Sequence, residues 1–407
     1  MRTLFITPIA PFPAVSGGQK VTLAYLESYA RHGPVHLVAF YEQSYGWDEA
    51  TIRAELGRHC ARVDLFPMAI HWRQHRLRHA ALGLRSLLGR TPFRLQKFMR
   101  RPAAELLRGL DCGAYDVVHC DFLHMTGYLD MLPGLPVVLA EHNIEWQIFE
   151  RHARHAGNPL IRLFAWYEAR RLRGYEVERL SRADHVLTLS DDDTARLRAA
   201  GVRAPMTVMP FPVEPRPVAS FHQGRPAVIS LGNLAAPGRA QGTRWFYEQV
   251  WPGVRRLVPG VRWHIVGGGA GGEIQAMHNG DDVLFHGFLP DERLEPLLRE
   301  VQVCVVPLFI GGGIRIKIVD MLSLGIPCVS TGVGAQGFSS DAVLVRDEPA
   351  TFAAAIAGVL GDRDLWYHLS SRGVDYVRQH HSRAALQARF DPVVAAAAGR
   401  VAPVAQP

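Results

Sequence analysis

Short apolar runs of strand length alternate with helix-length segments along almost all of this chain, and that alternation leaves few architectures open. In the first half the runs are Thr3–Ile6, Val35–Phe40, Asp116–Cys120, Pro136–Ala140 and His185–Leu189. In the second they are Ala227–Leu231, Trp263–Val266, Val283–His286, Val303–Pro307, Pro327–Thr331 and Ala342–Val345. Strands separated by helices imply parallel pairing, because each parallel crossover needs a segment long enough to return. The expected fold class is therefore α/β, with doubly wound parallel sheets. Six prolines between Pro205 and Pro226 divide the two series. A length of 407 residues suits two domains.

The divisions expected are a first domain over 1–212, a linker over 213–226 and a second domain over 227–375. A last helical stretch runs from about Asp362 to Phe390, and its part in 376–394 is expected to pack back on the first domain. The Ala-rich tail, 395–407, reads as disordered. In doubly wound sheets ligands bind outside the carboxyl ends of the strands, so a cleft between two such domains is the expected site.

Charge and cysteine content narrow the function classes. The five cysteines include no C-x-x-C pair and mostly sit in apolar runs, which reads as core packing in a reducing compartment. No run reaches the length needed to span a bilayer. The N-terminal residues pass straight into an apolar run without a small-residue cleavage site, so the expected location is the cytoplasm, with peripheral attachment to the inner face of the membrane as a variant. The net charge is +7, and the excess concentrates between His71 and Arg108, where ten Arg and Lys residues face only Glu105. With Leu77, Leu82, Leu84, Leu87 and Leu88 interleaved, 71–108 reads either as a solvated helical face or as a contact for anionic lipid or an anionic acceptor. No recognition motif for nucleic acid accompanies it.

Gly311-Gly312-Gly313-Ile314-Arg315-Ile316-Lys317-Ile318-Val319-Asp320 carries the clearest chemistry. It follows a strand and opens a helix, Ile316–Leu324. Glycines let backbone N–H groups approach an anion, and the helix N-terminus adds its dipole. Arg315 and Lys317 add fixed charge for a diphosphate, and Asp320 lies one turn on, where it could accept from ribose hydroxyls. Gly267, Gly269 and Gly272 have G-x-G-x-x-G-like spacing after another strand. No acidic residue follows a convincing second strand about 20 residues later, so Gly267 reads as a loop near a donor and not as a dinucleotide site. Asp191-Asp192-Asp193 follows Ser190 at a helix start, where capping is the expected role and not metal binding.

Pro307-Leu308, the decapeptide above, and Gly325-Ile326-Pro327-Cys328-Val329-Ser330-Thr331-Gly332-Val333-Gly334-Ala335-Gln336-Gly337 together resemble glycosyltransferase family 4 and its group 1 relatives. Gly232-Asn233-Leu234, His286-Gly287-Phe288-Leu289 and Glu141-His142-Asn143-Ile144-Glu145 extend the resemblance over most of the chain. It implies the GT-B fold, two Rossmann-like domains facing across a cleft. It also implies retaining transfer from a nucleoside diphosphate sugar, without a cofactor or a required metal. Carried onto matching positions, Asp320 would hold the ribose and Phe288 would lie in the nucleobase turn. Gly17 and Gly18 would face the donor phosphates or the acceptor, and His142 would lie near the reacting sugar. Asn233 stands where many members place a phosphate-binding arginine, with Arg239 six residues on to compensate. Gly312 stands near the first of two glutamates usual in relatives, and Asp320 replaces the second.

The catalytic set expected is thus His142, Arg315, Lys317 and Asp320. The donor-binding set is Gly17, Gly18, Asn233, Arg239, Gly267, Phe288, Gly312, Gly313, Ile314 and Asp320. The expected acceptor is a polysaccharide, glycolipid or other glycoconjugate, glycan or lipid-linked. The alternatives are a GT-B nucleotide-sugar epimerase and a non-catalytic nucleotide-sugar-binding or membrane scaffold protein.

Overall fold

The computed structural model describes residues 1–14, 16–42, 48–68, 86, 89, 92–155, 158–221, 224–309, 316–338, 341–397 and 399. The chain divides into two compact units, Met1–Met209 together with Gln387–Pro407, and Pro210–Leu386. Each is built on one parallel sheet, in an α/β architecture.

The first unit's sheet has seven strands: β1 (Thr3–Thr7), β2 (Val35–Tyr41), β3 (Arg62–Pro67), β4 (Val117–Asp121), β5 (Val137–Ala140), β6 (His185–Thr188) and β7 (Met206–Val208). Their order is β3-β2-β1-β4-β5-β6-β7. β1 therefore lies between β2, its successor, and β4, and the winding reverses at the β1/β4 seam. Leu4, Ile6, Val38, Phe40, Val118, Leu139 and Val186 are buried along these strands. Each such side chain contributes roughly 1.5–3 kcal/mol of burial.

The second unit's sheet has six: β8 (Ala227–Leu231), β9 (Arg262–Val266), β10 (Val283–Gly287), β11 (Val303–Val306), β12 (Cys328–Ser330) and β13 (Val343–Val345). The order β10-β9-β8-β11-β12-β13 again places the first strand at a reversal, here the β8/β11 seam. Its core carries large aromatics, among them Phe246, Trp251, Trp263 and Phe352, stacked edge-to-face or tilted within about 6 Å of one another.

Two strands were not anticipated, and both lie at a sheet edge. β3 pairs only with β2, so Arg62 and Asp64 can lie where they break its apolar pattern. β7 lies between Pro205 and Pro210, so the front of the proline-rich run is a strand paired with β6. Pro205 fits there because its carbonyl is what the sheet uses, accepting from Val186. The first helix begins earlier than its apolar pattern suggests, at Gly17, because Ser16 and Gln19 form a capping box. The last helical stretch is two helices, Arg363–His380 and Arg383–Ala397. The second gives its residues from Gln387 onward to the first unit. There Phe390 stacks on Tyr25 at 5.8 Å and meets Tyr29 edge-on, while Asp391 accepts from or pairs with His32 at 2.8 Å. Four of the cysteines are buried and Cys112 is half-buried, and all five are free thiols.

Candidate active site

At the β1/β4 seam the strand ends bring polar groups into a buried cluster. Asp121 closes β4 and is fully buried. Its carboxylate accepts from Thr7 Oγ1 at the end of β1 (2.8 Å) and from Thr22 Oγ1 on the first helix (2.7 Å). It also lies 2.7 Å from His142 Nε2 and 3.8 Å from His119 Nε2. Burial alone would push the Asp121 pKa up, but His142 and His119 outweigh it and hold the carboxyl well below the usual range. An ionised carboxylate only accepts, so His142 carries a proton on Nε2, and in the neutral imidazole this leaves Nδ1 as an acceptor.

That Nδ1 is buried and has no hydrogen-bond partner among the described residues. It lies 3.9 Å from the position of a Cβ on Gly18, and the ring of Phe122 lies 3.3 Å from the same position. Glycine at 18 therefore keeps the start of the first helix open over the imidazole. The other face of the site is fixed by Phe122, whose ring stacks on His142 at 3.7 Å with 12° between planes. Phe122 has φ of 64°, a left-handed conformation that costs a non-glycine residue about 1–3 kcal/mol. The Phe122 N–H is bonded to Ala140 O, which holds the strained turn between β4 and β5.

Beside this cluster, Glu141, Glu145 and Glu176 are buried together. Glu176, on the helix Pro159–Ser181, accepts from the backbone N–H groups of Glu145 and Trp146 and so caps the helix Glu145–His155. Glu145 pairs with Arg94 at 2.8 Å and approaches His124 at 3.6 Å. Burial raises its pKa, but His124 and Arg94 more than offset that and bring it down to about 2. Burial, with Glu176 and Glu145 close by, pushes the Glu141 pKa far up. Because the folded Glu145 pKa lies below its unfolded value of about 4.5, its contribution to stability is present above pH 4.5 and is lost as pH falls toward 2. Acid unfolding should therefore flatten in this range in Glu145→Gln. A Gln variant whose midpoint falls with pH as steeply as the wild type would refute that assignment.

In the second unit the glycine turns lie at the ends of the neighbouring strands β8 and β9. A Cβ on Gly267 would overlap the carbonyl oxygen of Gly232, and one on Gly269 would come 2.7 Å from the Ala235 Cβ. The turns after β8 and β9 thus touch backbone to backbone. Asn233 Oδ1 accepts from the Ala235 N–H and shapes the first turn. Arg239 lies over Gly232 and donates to Leu231 O at 2.8 Å. Burial lowers its pKa, yet it remains a cation at neutral pH. A small pocket beside it is lined by Ser230, Thr243, Val306 and Leu308. Phe288 follows β10, and most of its ring is in solvent.

Of the principal cradle, Gly311, Gly312, Gly313, Ile314 and Arg315 lie outside the described residues. The helix that follows runs Ile316–Ser323. On it Lys317 Nζ lies 3.2 Å from the Asp320 carboxylate, with both side chains partly exposed. The cation and the acid expected to serve the donor are thus paired with each other. Ser190, and not the aspartates after it, caps the helix Asp191–Ala200 by accepting from the Asp193 N–H. Sequence reasoning singled out His142, Gly17 and Gly18 but missed Asp121, Thr7, Thr22 and Phe122. Asp121 had a signal: a carboxylate ending an apolar run. Thr7, Thr22 and Phe122 had none, because distant segments bring them together.

Two doubly wound parallel sheets, one with a polar His–Asp pair at its seam and the other with touching glycine turns and a half-buried arginine, are the architecture of the GT-B class of glycosyltransferases. The family described as Glycosyltransferase Family 4 matches residues 15–216, and that described as Glycosyl transferases group 1 matches 225–362. The chain belongs to these glycosyltransferases. Similar solved structures include sucrose-phosphate synthase from Thermosynechococcus elongatus, at TM-score 0.64 and 16% identity, covering 97% of this chain and 98% of that one. HepE of Anabaena, in complex with UDP and glucose, has TM-score 0.60 and 14% identity over 97% of this chain and 100% of its own. An uncharacterized 44.6 kDa protein in the cps region of Klebsiella pneumoniae is 22% identical over 368 residues, 87% of this chain and 90% of the relative.

Proposed function

We propose that this glycosyltransferase moves a sugar, with retention of anomeric configuration, from a nucleoside diphosphate donor to a glycan or lipid-linked acceptor. The observation that carries the reading is the unpartnered lone pair of His142 Nδ1, buried at a topological switch point under the open start of the first helix. Such an atom accepts from a neutral hydroxyl and suits a sugar far better than an anion. The complexes of HepE with UDP and glucose and with UDP-glucose make uridine the first base to test.

In this reading Asp121 fixes the imidazole, and His142 accepts from a hydroxyl of the transferred sugar. Gly311–Gly313, Arg315 and Lys317 neutralise the diphosphate as its negative charge grows. Asp320 turns from Lys317 to the ribose when donor is bound, and Lys317 turns to the phosphates. Gly312, Gly313, Ile314, Asn233, Arg239, Gly267 and Phe288 frame the donor. No side chain is required as nucleophile, since the leaving phosphate oxygen takes the acceptor proton as the new bond forms. No metal or cofactor is needed for these steps. We also propose that the basic run 71–108, half of it outside the described residues, rests on anionic lipid at the inner membrane face. Equal binding to neutral and anionic vesicles would count against that.

Incubation with nucleotide sugars, with and without oligosaccharide or polyprenyl acceptors, tests the reading. Nucleotide release together with a new glycoside of the donor's own anomeric configuration is expected. Interconversion of sugars without acceptor would make the protein an epimerase, and binding with neither would make it a scaffold. Lys317→Ala and Arg315→Ala should each weaken donor binding by roughly 1.5–3 kcal/mol, the worth of a charge-assisted contact. Unchanged donor KM in both would sink the phosphate assignment.

A further inference from the structure

The helix Pro159–Ser181 begins on the surface and joins the core only after its second turn. Asn158 caps it, accepting from the N–H groups of Leu160 and Ile161. Residues buried at helical spacing start at Ala165 and continue through Glu168, Ala169, Leu172, Glu176 and Leu180. Ahead of them Leu160 is 77% exposed, Ile161 53% and Leu163 63%, and Trp166, one turn after Leu163, is 49% exposed. These are four of the eight large apolar side chains exposed among the described residues, gathered within seven positions. Scattered exposure is ordinary, but a cluster marks a contact.

A trough of about 660 Å³ separates the first half of this helix from the helix Glu145–His155. Arg154, Arg162, Arg170 and Arg173 line it, opposed only by Glu150, with Leu163 and Trp166 at its apolar side. Among the described residues none of the four arginines is paired with a carboxylate. Arg170 instead lies over the Trp166 ring at 4.6 Å. The same helix anchors described residues within the basic run. Arg171 donates to the backbone oxygens of Ser86 and Gly89, and Glu168 accepts from Ser86 Oγ and the Phe93 N–H. The apolar tip, the arginine trough and that run thus share one support.

We propose that this helical hairpin is a membrane contact, in which Leu160, Ile161, Leu163 and Trp166 enter the headgroup layer of an anionic bilayer and the four arginines pair with its phosphates. Apolar insertion beside unpaired guanidinium groups needs a surface that offers both hydrocarbon and negative charge, and anionic lipid offers both within a few ångströms. A second copy of the chain would fit poorly. A two-fold contact sets the same patch against itself and would bring four arginines against four. The contact is independent of the donor chemistry, since none of these side chains belongs to either seam.

Co-sedimentation with phosphatidylcholine vesicles, with and without phosphatidylglycerol, tests it on the full chain. Wild type should partition onto the anionic vesicles, less so as salt rises. Each arginine near such a surface is worth roughly fivefold. Leu160→Glu with Leu163→Glu, and separately Arg162→Glu with Arg170→Glu, should therefore each lower partitioning by about tenfold or more. Both pairs are exposed, so thermal unfolding and nucleotide-sugar binding should match wild type, and this separates the proposal from the transferase reading. Wild-type partitioning in both double variants, or no binding of wild type to anionic vesicles, overturns it. Loss of self-association in sedimentation velocity in place of lipid binding would assign the face to a second copy and overturn it as well.

Discussion

Asp121→Asn should lower turnover by about 10²-fold or more while leaving donor KM within a few-fold of wild type. The substitution preserves shape and buried volume, so the Thr7 and Thr22 hydroxyls keep an acceptor. It reverses what His142 can do. An amide that donates to Nε2 forces the imidazole proton to Nδ1, and the atom beneath Gly18 becomes a donor instead of an acceptor. Removing the ring in His142→Ala should cost a similar factor without that reversal. Turnover within about threefold of wild type in Asp121→Asn would remove the pair from the mechanism, whatever the fate of the donor site.

The second large effect is on stability. Gly242→Ala should destabilise the second unit by about 3 kcal/mol or more. Gly242 lies within the helix Pro237–Trp245, and a Cβ there would overlap the carbonyl oxygen of Pro307 just past β11. Both partners in that overlap are backbone, so no rotamer change relieves it, and the helix must move off the sheet end that forms the β8/β11 seam. At about 2–4 °C per kcal/mol for a unit of this size, the melting temperature should fall by roughly ten degrees. Gly174→Ala is the matched control. It lies inside the helix Pro159–Ser181, where a Cβ meets no atom within 4 Å. That change should stabilise by about 0.5–1 kcal/mol through backbone entropy. Equal melting temperatures for the two variants would mean that the close approach of Gly242 to Pro307 is not a constraint on the fold. Nucleotide-sugar binding should weaken with Gly242→Ala and not with Gly174→Ala, because only the former moves the turns that frame Arg239.

The parallel sheets were legible from the chain because their central strands are mostly apolar, and an apolar run between helices has few other fates. Edge strands escape that reasoning. β3 carries Arg62 and Asp64 since one of its sides pairs with nothing, and β7 is three residues among prolines. The site followed the same division. His142 drew attention as part of a polar group at a strand end, and Gly17-Gly18 as a glycine pair before a helix. Asp121 was placed just beyond its strand and given no role, although a carboxylate closing an apolar run is a visible mark.

What the sequence by itself determined is local and periodic: two series of strand and helix, a proline-rich break, glycine turns after strands, and cations at the start of the helix at Ile316. Tertiary structure alone decided which of these meet. Thr7, Thr22, Asp121 and His142 span more than 130 positions, yet they share one carboxylate because β1 and β4 are neighbours at the reversal of strand order. It also decided that Lys317 and Asp320 pair with each other and that Leu160, Ile161 and Leu163 stay in solvent while Leu172 and Leu180 of the same helix are buried. The physical reason is the same in each case. Backbone propensity and hydrophobic period act over a few residues, whereas hydrogen bonding and burial depend on which distant segments the strand order sets side by side.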